Sequence, residues 1–283
     1  MNILFYSALF ILLLYCVTKA YKNTQKVSVK RIQVGDNKSN PGSVLHILHL
    51  SDLHLENISI SPDELYEKVK DEPIDLIALT GDFLDRKRTI PKLIPYLKIL
   101  QKLNATHGIY AVLGNHDYVL RHKDLDALIN TLQQYDCTVM RNESCTVDVR
   151  GKQLNIIGID DFSTKRSDLP SSYKGLRGGI NLVLTHDPNL VLHMKDYSFD
   201  YLLSGHFHGG QICYPKPYHL VKMGKLVKMN MIKGLHSRDG KPFYISEGLG
   251  QTGVNIRIGS RPEISLHAFS LPEEKAEAWK AAN

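Results

Sequence analysis

Hydrophobic positions in this chain fall into three textures. Residues 3–18, "ILFYSALFILLLYCVT", form one uncharged apolar run. From residue 44 short apolar runs alternate with stretches spaced for amphipathic helices, and beyond residue 140 strand-like runs dominate. The first run lies near the lower limit of the roughly 17–25 residues that cross a bilayer as a helix, and predicts an anchor over 1–20. No Lys or Arg precedes it, which disfavours a cleaved leader, although Thr18 and Ala20 leave a small-x-small cleavage pattern open. Lys19, Lys22, Lys26, Lys30 and Arg31 follow it, so the positive-inside rule places the N-terminus outside and the remainder on the cytoplasmic face. Export is the alternative. Residues 21–42, ending in "GDNKSNPGS", read as a basic linker, 43–271 as one domain and 272–283 as a tail.

Within the domain, strands are predicted at 44–51, 74–80, 109–114, 145–149, 154–159, 180–185, 201–203, 243–246 and 263–269. "SPDE" at 61–64 pairs an N-cap serine with Pro at the first helical position and Glu where a capping box requires it. Further helices are predicted at 91–103 and 125–135. The alternation predicts an α/β domain with a mixed, largely buried sheet.

Composition changes this picture little. At 283 residues, 43% hydrophobic and 23% charged, the chain is ordinary for a globular protein with a sizeable core. A net charge of +6 favours anionic partners: phosphorylated substrates, anionic lipid or nucleic acid. No aromatic-basic stacking surface marks a specific nucleic-acid binder, and no protein partner can be inferred. Cys16, Cys137, Cys145 and Cys213 contain no C-x-x-C pair, which mildly favours a reducing compartment while leaving a Cys137–Cys145 bridge open.

The chemistry concentrates where strands stop. "SDLHL" brings Asp52 and His54, "TGDFLD" brings Asp82 and Asp85, and "GNHDY" brings Asn115, His116 and Asp117. "THDP" brings His186, and "GHFHGG" brings His206 and His208. Each piece has a bland reading as a cap, a turn or a solvated face. Taken together they put Asp, Asn or His at the carboxyl ends of successive strands, where ligands of open α/β sheets sit. On extended segments residues i and i+2 point the same way, so each D-x-H or H-x-H pair is expected to offer two ligands to one side.

In this order the blocks resemble the signature of the calcineurin-like metallophosphoesterases, over about 44–269. The stretch "SEGLGQTGVNIRIGSRPEISL" is also similar to the closing strands of a membrane-anchored bacterial branch that includes enzymes cleaving UDP-2,3-diacylglucosamine in lipid A synthesis. The resemblance implies a four-layer α/β/β/α sandwich and two divalent metal ions. Asp52, His54 and His208 would hold one ion, Asn115, His186 and His206 the other, and Asp82 would bridge. His116 would be the catalytic histidine, with Asp117 as its orienting partner. Phe207 fills a position often small or hydroxylated in the family and would narrow the pocket.

A donor set mixing imidazole with carboxylate and amide oxygen suits Mn, Fe or Zn better than Mg or Ca. Ions about 3.5–4 Å apart would clamp a phosphoryl group while a bridging hydroxide attacks. Arg86 and Arg88, just after the Asp82 loop, are candidate phosphate contacts. The stretch 213–241 carries seven Lys or Arg against Asp239 and is studded with apolar residues, which suits a lipid headgroup at a membrane surface or, equally, a solvated connection. The expected function is therefore hydrolysis of a phosphodiester or pyrophosphate in a lipid-linked substrate. The alternatives are a phosphatase or phosphodiesterase on soluble substrates, or a metal-binding scaffold without activity.

Overall fold

The computed structural model describes residues 2–35 and 44–272. Helix α1 (Asn2–Thr24) leads into strand β1 (Ser28–Val34). Then come β2 (Val44–Leu50), α2 (Pro62–Val69), β3 (Leu76–Thr80), α3 (Ile90–Lys102), β4 (Ile109–Val112), α4 (His122–Gln134) and β5 (Cys137–Val139). The second half runs β6 (Glu143–Val149), β7 (Lys152–Gly158), α5 (Leu169–Ser172), β8 (Ile180–Leu184) and β9 (Tyr201–Ser204). It closes with α6 (Lys225–Lys228), β10 (Gly234–Arg238), β11 (Lys241–Ile245) and β12 (Glu263–Ser270).

The strands form two six-stranded mixed sheets, ordered β1-β12-β2-β3-β4-β5 and β10-β11-β9-β8-β7-β6. Period-two alternation decides their packing. In β2, Leu45 and Ile47 face the second sheet, whereas Leu48 and Leu50 face the helices. Between the sheets, Leu76, Ala78 and Val112 meet Ile156, Leu182 and Leu203. Outside the first sheet, Leu65, Leu97 and Leu128 of α2, α3 and α4 cover it. Outside the second, the cover is thin: 3₁₀ turns and short helices bring Leu190, Leu220 and Leu226 onto Val183, Leu202 and Phe243. The result is the four-layer α/β/β/α sandwich, with the last layer reduced. The capping box forms as expected: Ser61 Oγ accepts from the Glu64 N–H, and the Glu64 carboxylate accepts from the Ser61 N–H.

The 21–42 stretch is not linker throughout. Helix α1 continues to Thr24, and its last turn docks, with Ala20 and Thr24 buried. Residues 28–34 form β1, an edge strand parallel to β12. Its hydrophobic positions are split, Val29 toward the helices and Ile32 and Val34 toward the second sheet, and Lys30 and Arg31 between them mask the pattern. Its partner lies more than 230 residues away, so no hairpin signal marks it. Residues 36–42 and 273–283 lie outside the described residues. No disulfide joins Cys137 and Cys145: both are free, Cys137 on the helix-facing side of the first sheet and Cys145 on β6 of the second sheet, packed between the sheets.

Candidate metal centre

The carboxyl ends of β2, β3, β4, β8 and β9 converge between the two sheets. Two groups of donor atoms sharing Asp82 form there among the described residues: Asp52, His54, Asp82 and His208 in one, and Asp82, His186 and His206 in the other. A third joins His54 to Asp85 and His116, and in each the ligand atoms lie within 4.8 Å of one another. All residues of the first two groups are buried. Asp82 belongs to both, its Oδ2 lying 3.2 Å from His186 Nε2 and 3.5 Å from His54 Nε2. His208 Nε2 lies 3.4 Å from Asp52 Oδ1. Asn115 lines the same cavity of about 260 Å³ as Asp82, His116, His206 and His208.

The pairs face one way for a reason other than extended backbone. β2 ends at Leu50 and β9 at Ser204, before either pair begins. Asp52, His54, Asp82, His206 and His208 all adopt positive φ, between 36° and 74°. Tight left-handed turns, rather than strand alternation, thus aim these side chains into the cluster. Backbone held in this region by non-glycine residues costs energy and persists where surroundings over-determine it. Here the surroundings do so: the Asp52 N–H donates to Gly81 O (2.9 Å), the His54 N–H to Asp82 O (3.0 Å), and the His206 N–H to the Asp52 carboxylate (3.1 Å). Close approach also needs glycine. A Cβ on Gly205 would stand 1.9 Å from Ser51 Oγ, and one on Gly114 2.2 Å from Asp82 Oδ1.

The donor atoms fit divalent cations. His186 Nδ1 donates to Thr80 O (2.7 Å), which fixes the tautomer and leaves Nε2 to the cluster. That Nε2 faces His206 Nδ1 at 3.1 Å, a separation that needs a proton or a cation between the nitrogens. His54 Nε2, Asn115 Oδ1 and His208 Nδ1 are buried without a hydrogen-bond partner among the described residues. Burial opposes charge on His186, yet Asp82 raises its pKa well above the ordinary imidazole value. Burial likewise opposes charge on His54, whose pKa Asp82 and Asp85 push up to about 10. Asp82 thus draws positive charge onto His54 and His186, whereas burial lowers the pKa of His206 and His208 and keeps their rings neutral.

His116 lines the metal cavity, but Asp117 takes a different place from the one expected. Asp117 does not touch His116. Its buried carboxylate accepts the N–H groups of Asp82, Phe83 and Gly114, each at 2.9 Å, and so clamps the loop after β3 to the loop after β4. Burial and the nearby Asp82 raise its pKa to about 7. The partner of His116 is Asp85, whose Oδ1 lies 2.8 Å from His116 Nδ1 and 3.2 Å from His54 Nδ1. Burial lowers the His116 pKa, but the hydrogen bond to Asp85 and the negative charges of Asp82 and Asp85 together outweigh it, and the net direction is up. Asp85 stood in "TGDFLD", and its role escaped notice because only the folded loop brings it to two histidines.

Arg86 and Arg88 are exposed and do not line the cavity. Phe207 reaches the cavity, but its ring is fully buried in the core outside the second sheet, where it anchors the His206–His208 turn. Sequence reading also missed Arg257. Its buried guanidinium donates to the carbonyls of His208, Glu247, Gly248, Gly250 and Arg261. These bonds hold a loop whose Gly250 N–H in turn donates to Asp52 O (2.7 Å).

Residues 45–210, more than half of the chain, match the family model for the calcineurin-like phosphoesterase. The chain belongs to that family. This phosphoesterase is 62% identical over 250 residues to the uncharacterized metallophosphoesterase YkoQ of Bacillus subtilis, covering 88% of this chain and 93% of that one. It is 27% identical over 279 residues to the UDP-2,3-diacylglucosamine pyrophosphatase LpxG of Chlamydia trachomatis, covering 78% and 82% respectively. Among solved structures, the phosphopantetheinyl hydrolase PptH of Mycobacterium tuberculosis shares the fold, with a TM-score of 0.50 at 13% identity over 73% of this chain and 90% of that one. The phosphoesterase is accordingly a hydrolase of phosphoric esters with a buried His/Asp metal-binding cluster.

Proposed function

We propose that the chain hydrolyses a phosphodiester or pyrophosphate bond in a membrane lipid-linked substrate, using two divalent cations, with Mn favoured over Fe or Zn. The observation that carries this reading is the pair of donor groups sharing Asp82. Asp52, His54 and His208 would hold one ion and Asn115, His186 and His206 the other. Cations bound there supply Lewis acidity, which polarises phosphoryl oxygens and acidifies the attacking water. The protein's own residues do the rest. Asp85 fixes the ring of His116 through Nδ1, so that Nε2 serves the cavity. With its pKa raised, His116 carries a proton there to stabilise the phosphoryl charge or to protonate the leaving oxygen, help worth about 10²–10⁴-fold. Asp117 stiffens the loops that deliver Asp82 and Asn115.

Support for a lipid-linked substrate comes from α1, the basic segment beside the site, and LpxG among the relatives. α1 would anchor the chain, with the domain on the cytoplasmic face. The test is a panel on the full chain in detergent micelles with Mn²⁺, Fe²⁺, Zn²⁺ or Mg²⁺. It compares UMP release from UDP-2,3-diacylglucosamine, cleavage of an aryl phosphodiester and Pi release from monoesters. Cleavage of the diester or pyrophosphate with Mn²⁺ is expected. Pi release from monoesters alone would move the reading to a soluble-substrate phosphatase, and binding of metal without any hydrolysis would make it a scaffold.

A further inference from the structure

The foot of α1 is attached to the domain at one place. The Arg257 N–H donates to Ala20 O (3.0 Å), and Asn23 Nδ2 donates to Arg257 O (2.8 Å). The next residue, Ile258, pairs with Ile212 in a parallel bridge, with hydrogen bonds from Ile258 N to Gln211 O and from Cys213 N to Ile258 O. The segment 214–229 therefore leaves the fold directly beside the base of the apolar helix. That helix has 22 residues long and apolar enough to cross a bilayer, about 33 Å at 1.5 Å per residue.

The segment has two faces. Leu220 and Leu226 are buried and fasten it to the core outside the second sheet. Its outer face exposes Tyr214 (79%), Tyr218 (64%), Val221 (50%) and Met229 (46%), together with Lys216, Lys222, Lys225 and Lys228. These four lysines make no ion pair among the described residues, whereas Lys233 beyond them is taken by Glu247 at 3.1 Å. No Asp or Glu occurs from Cys213 to Arg238. Exposed tyrosines, aliphatic side chains and unpaired lysines on one acid-free face suit the boundary of an anionic bilayer. Aromatic rings sit at headgroup level there, and ammonium groups meet lipid phosphates.

We propose that segment 214–229 rests on anionic lipid headgroups beside the base of α1, and that the metal cavity opens onto that surface. The inference rests on α1 acting as the anchor. The same segment walls the site: His219, Leu220 and Met223 line the metal cavity, and Lys222, Met223, Gly224 and Lys225 line a neighbouring cavity of about 760 Å³. The two cavities share His206 and Met223, so they adjoin at the donor cluster. A substrate would then enter from the lipid boundary, with its phosphate reaching the donors past Met223.

The experiment is amide hydrogen exchange on the full chain in nanodiscs of phosphatidylglycerol and of phosphatidylcholine. In phosphatidylglycerol, exchange over 214–229 is expected to slow about tenfold or more relative to phosphatidylcholine, and 0.5 M salt should reverse the effect. Replacing Lys216, Lys222, Lys225 and Lys228 with Gln should abolish it while β2, β3 and β8 keep their protection, which shows that the variant is folded. Equal exchange in the two lipids, with the chain incorporated, would overturn this proposal and leave the anchor reading standing. Failure of the chain to enter either disc would overturn both.

Discussion

The two sheets meet at one site and bring unlike chemistry to it. The first supplies Asp52, His54, Asp82 and Asn115, with Asp85 and His116 beside them; the second supplies His186, His206 and His208. Every carboxylate of the donor groups stands on the first side, while the second contributes imidazoles alone. Their backing differs as well. α2, α3 and α4 cover the first sheet, and 3₁₀ turns and short helices cover the second. The negative charge that attracts a cation is thus mounted on the helix-backed half, and the imidazole half carries the irregular wall that shapes the cavity. A bound cation would join the halves across their interface.

The sharpest way to break this comparison is to remove one donor from each side. Asp82→Ala takes away the shared carboxylate, and both metal content by elemental analysis and kcat/KM should collapse, the latter by about 10³ or more. His206→Ala removes an imidazole of the second side only, and should leave about one ion per chain, bound by the Asp52 group. Equal loss in the two variants would show that the halves are not distinct. His116→Asn leaves the donors intact, so metal content should hold while kcat falls about 10²–10⁴-fold. Asp85→Asn weakens the orientation of two first-side histidines, with a loss of about 10–100-fold in activity or metal affinity.

Smaller effects read the halves as structure. Chelation should lower the melting temperature by about 5–10 °C, since a ligand at 100 Kd stabilises by about 2.7 kcal/mol. Hydrogen exchange should then rise first over 205–211, where the cover is thin, and last in β3. Ser61→Ala in α2 costs about 1 kcal/mol through loss of its cap, measured by urea unfolding, without changing metal content.

Much of the first half was legible in the chain because its signals are local. "SPDE" forms the capping box it spells, and the apolar runs at 44–51 and 74–80 become β2 and β3. The donor residues were visible as residue types at strand ends, but not the geometry that aims them. Positive φ at Asp52 or His208 has no marker in composition or period. Two assignments failed because they depend on long-range contacts. Asp117 neighbours His116 in sequence yet serves the loop after β3, and β1 hides its strand pattern until β12 arrives to pair with it. Arg257 was invisible for a different reason: four of the carbonyls that make its burial possible lie within ten residues of it, but only the irregular fold of that loop, closed by the distant His208 carbonyl, turns them onto one guanidinium.

The left-handed backbone at Asp52, His54, Asp82, His206 and His208 also sets a limit on how the site can be re-engineered. A library that varies these positions freely will mostly fail before metal preference is sampled, because β-branched residues are strongly disfavoured there. Asp, Asn, His and Gly tolerate such backbone best. The accessible alphabet therefore overlaps strongly with the ligand alphabet already in use, so changes of metal or substrate selectivity are better sought in side chains on ordinary backbone, such as Met223 in the cavity wall.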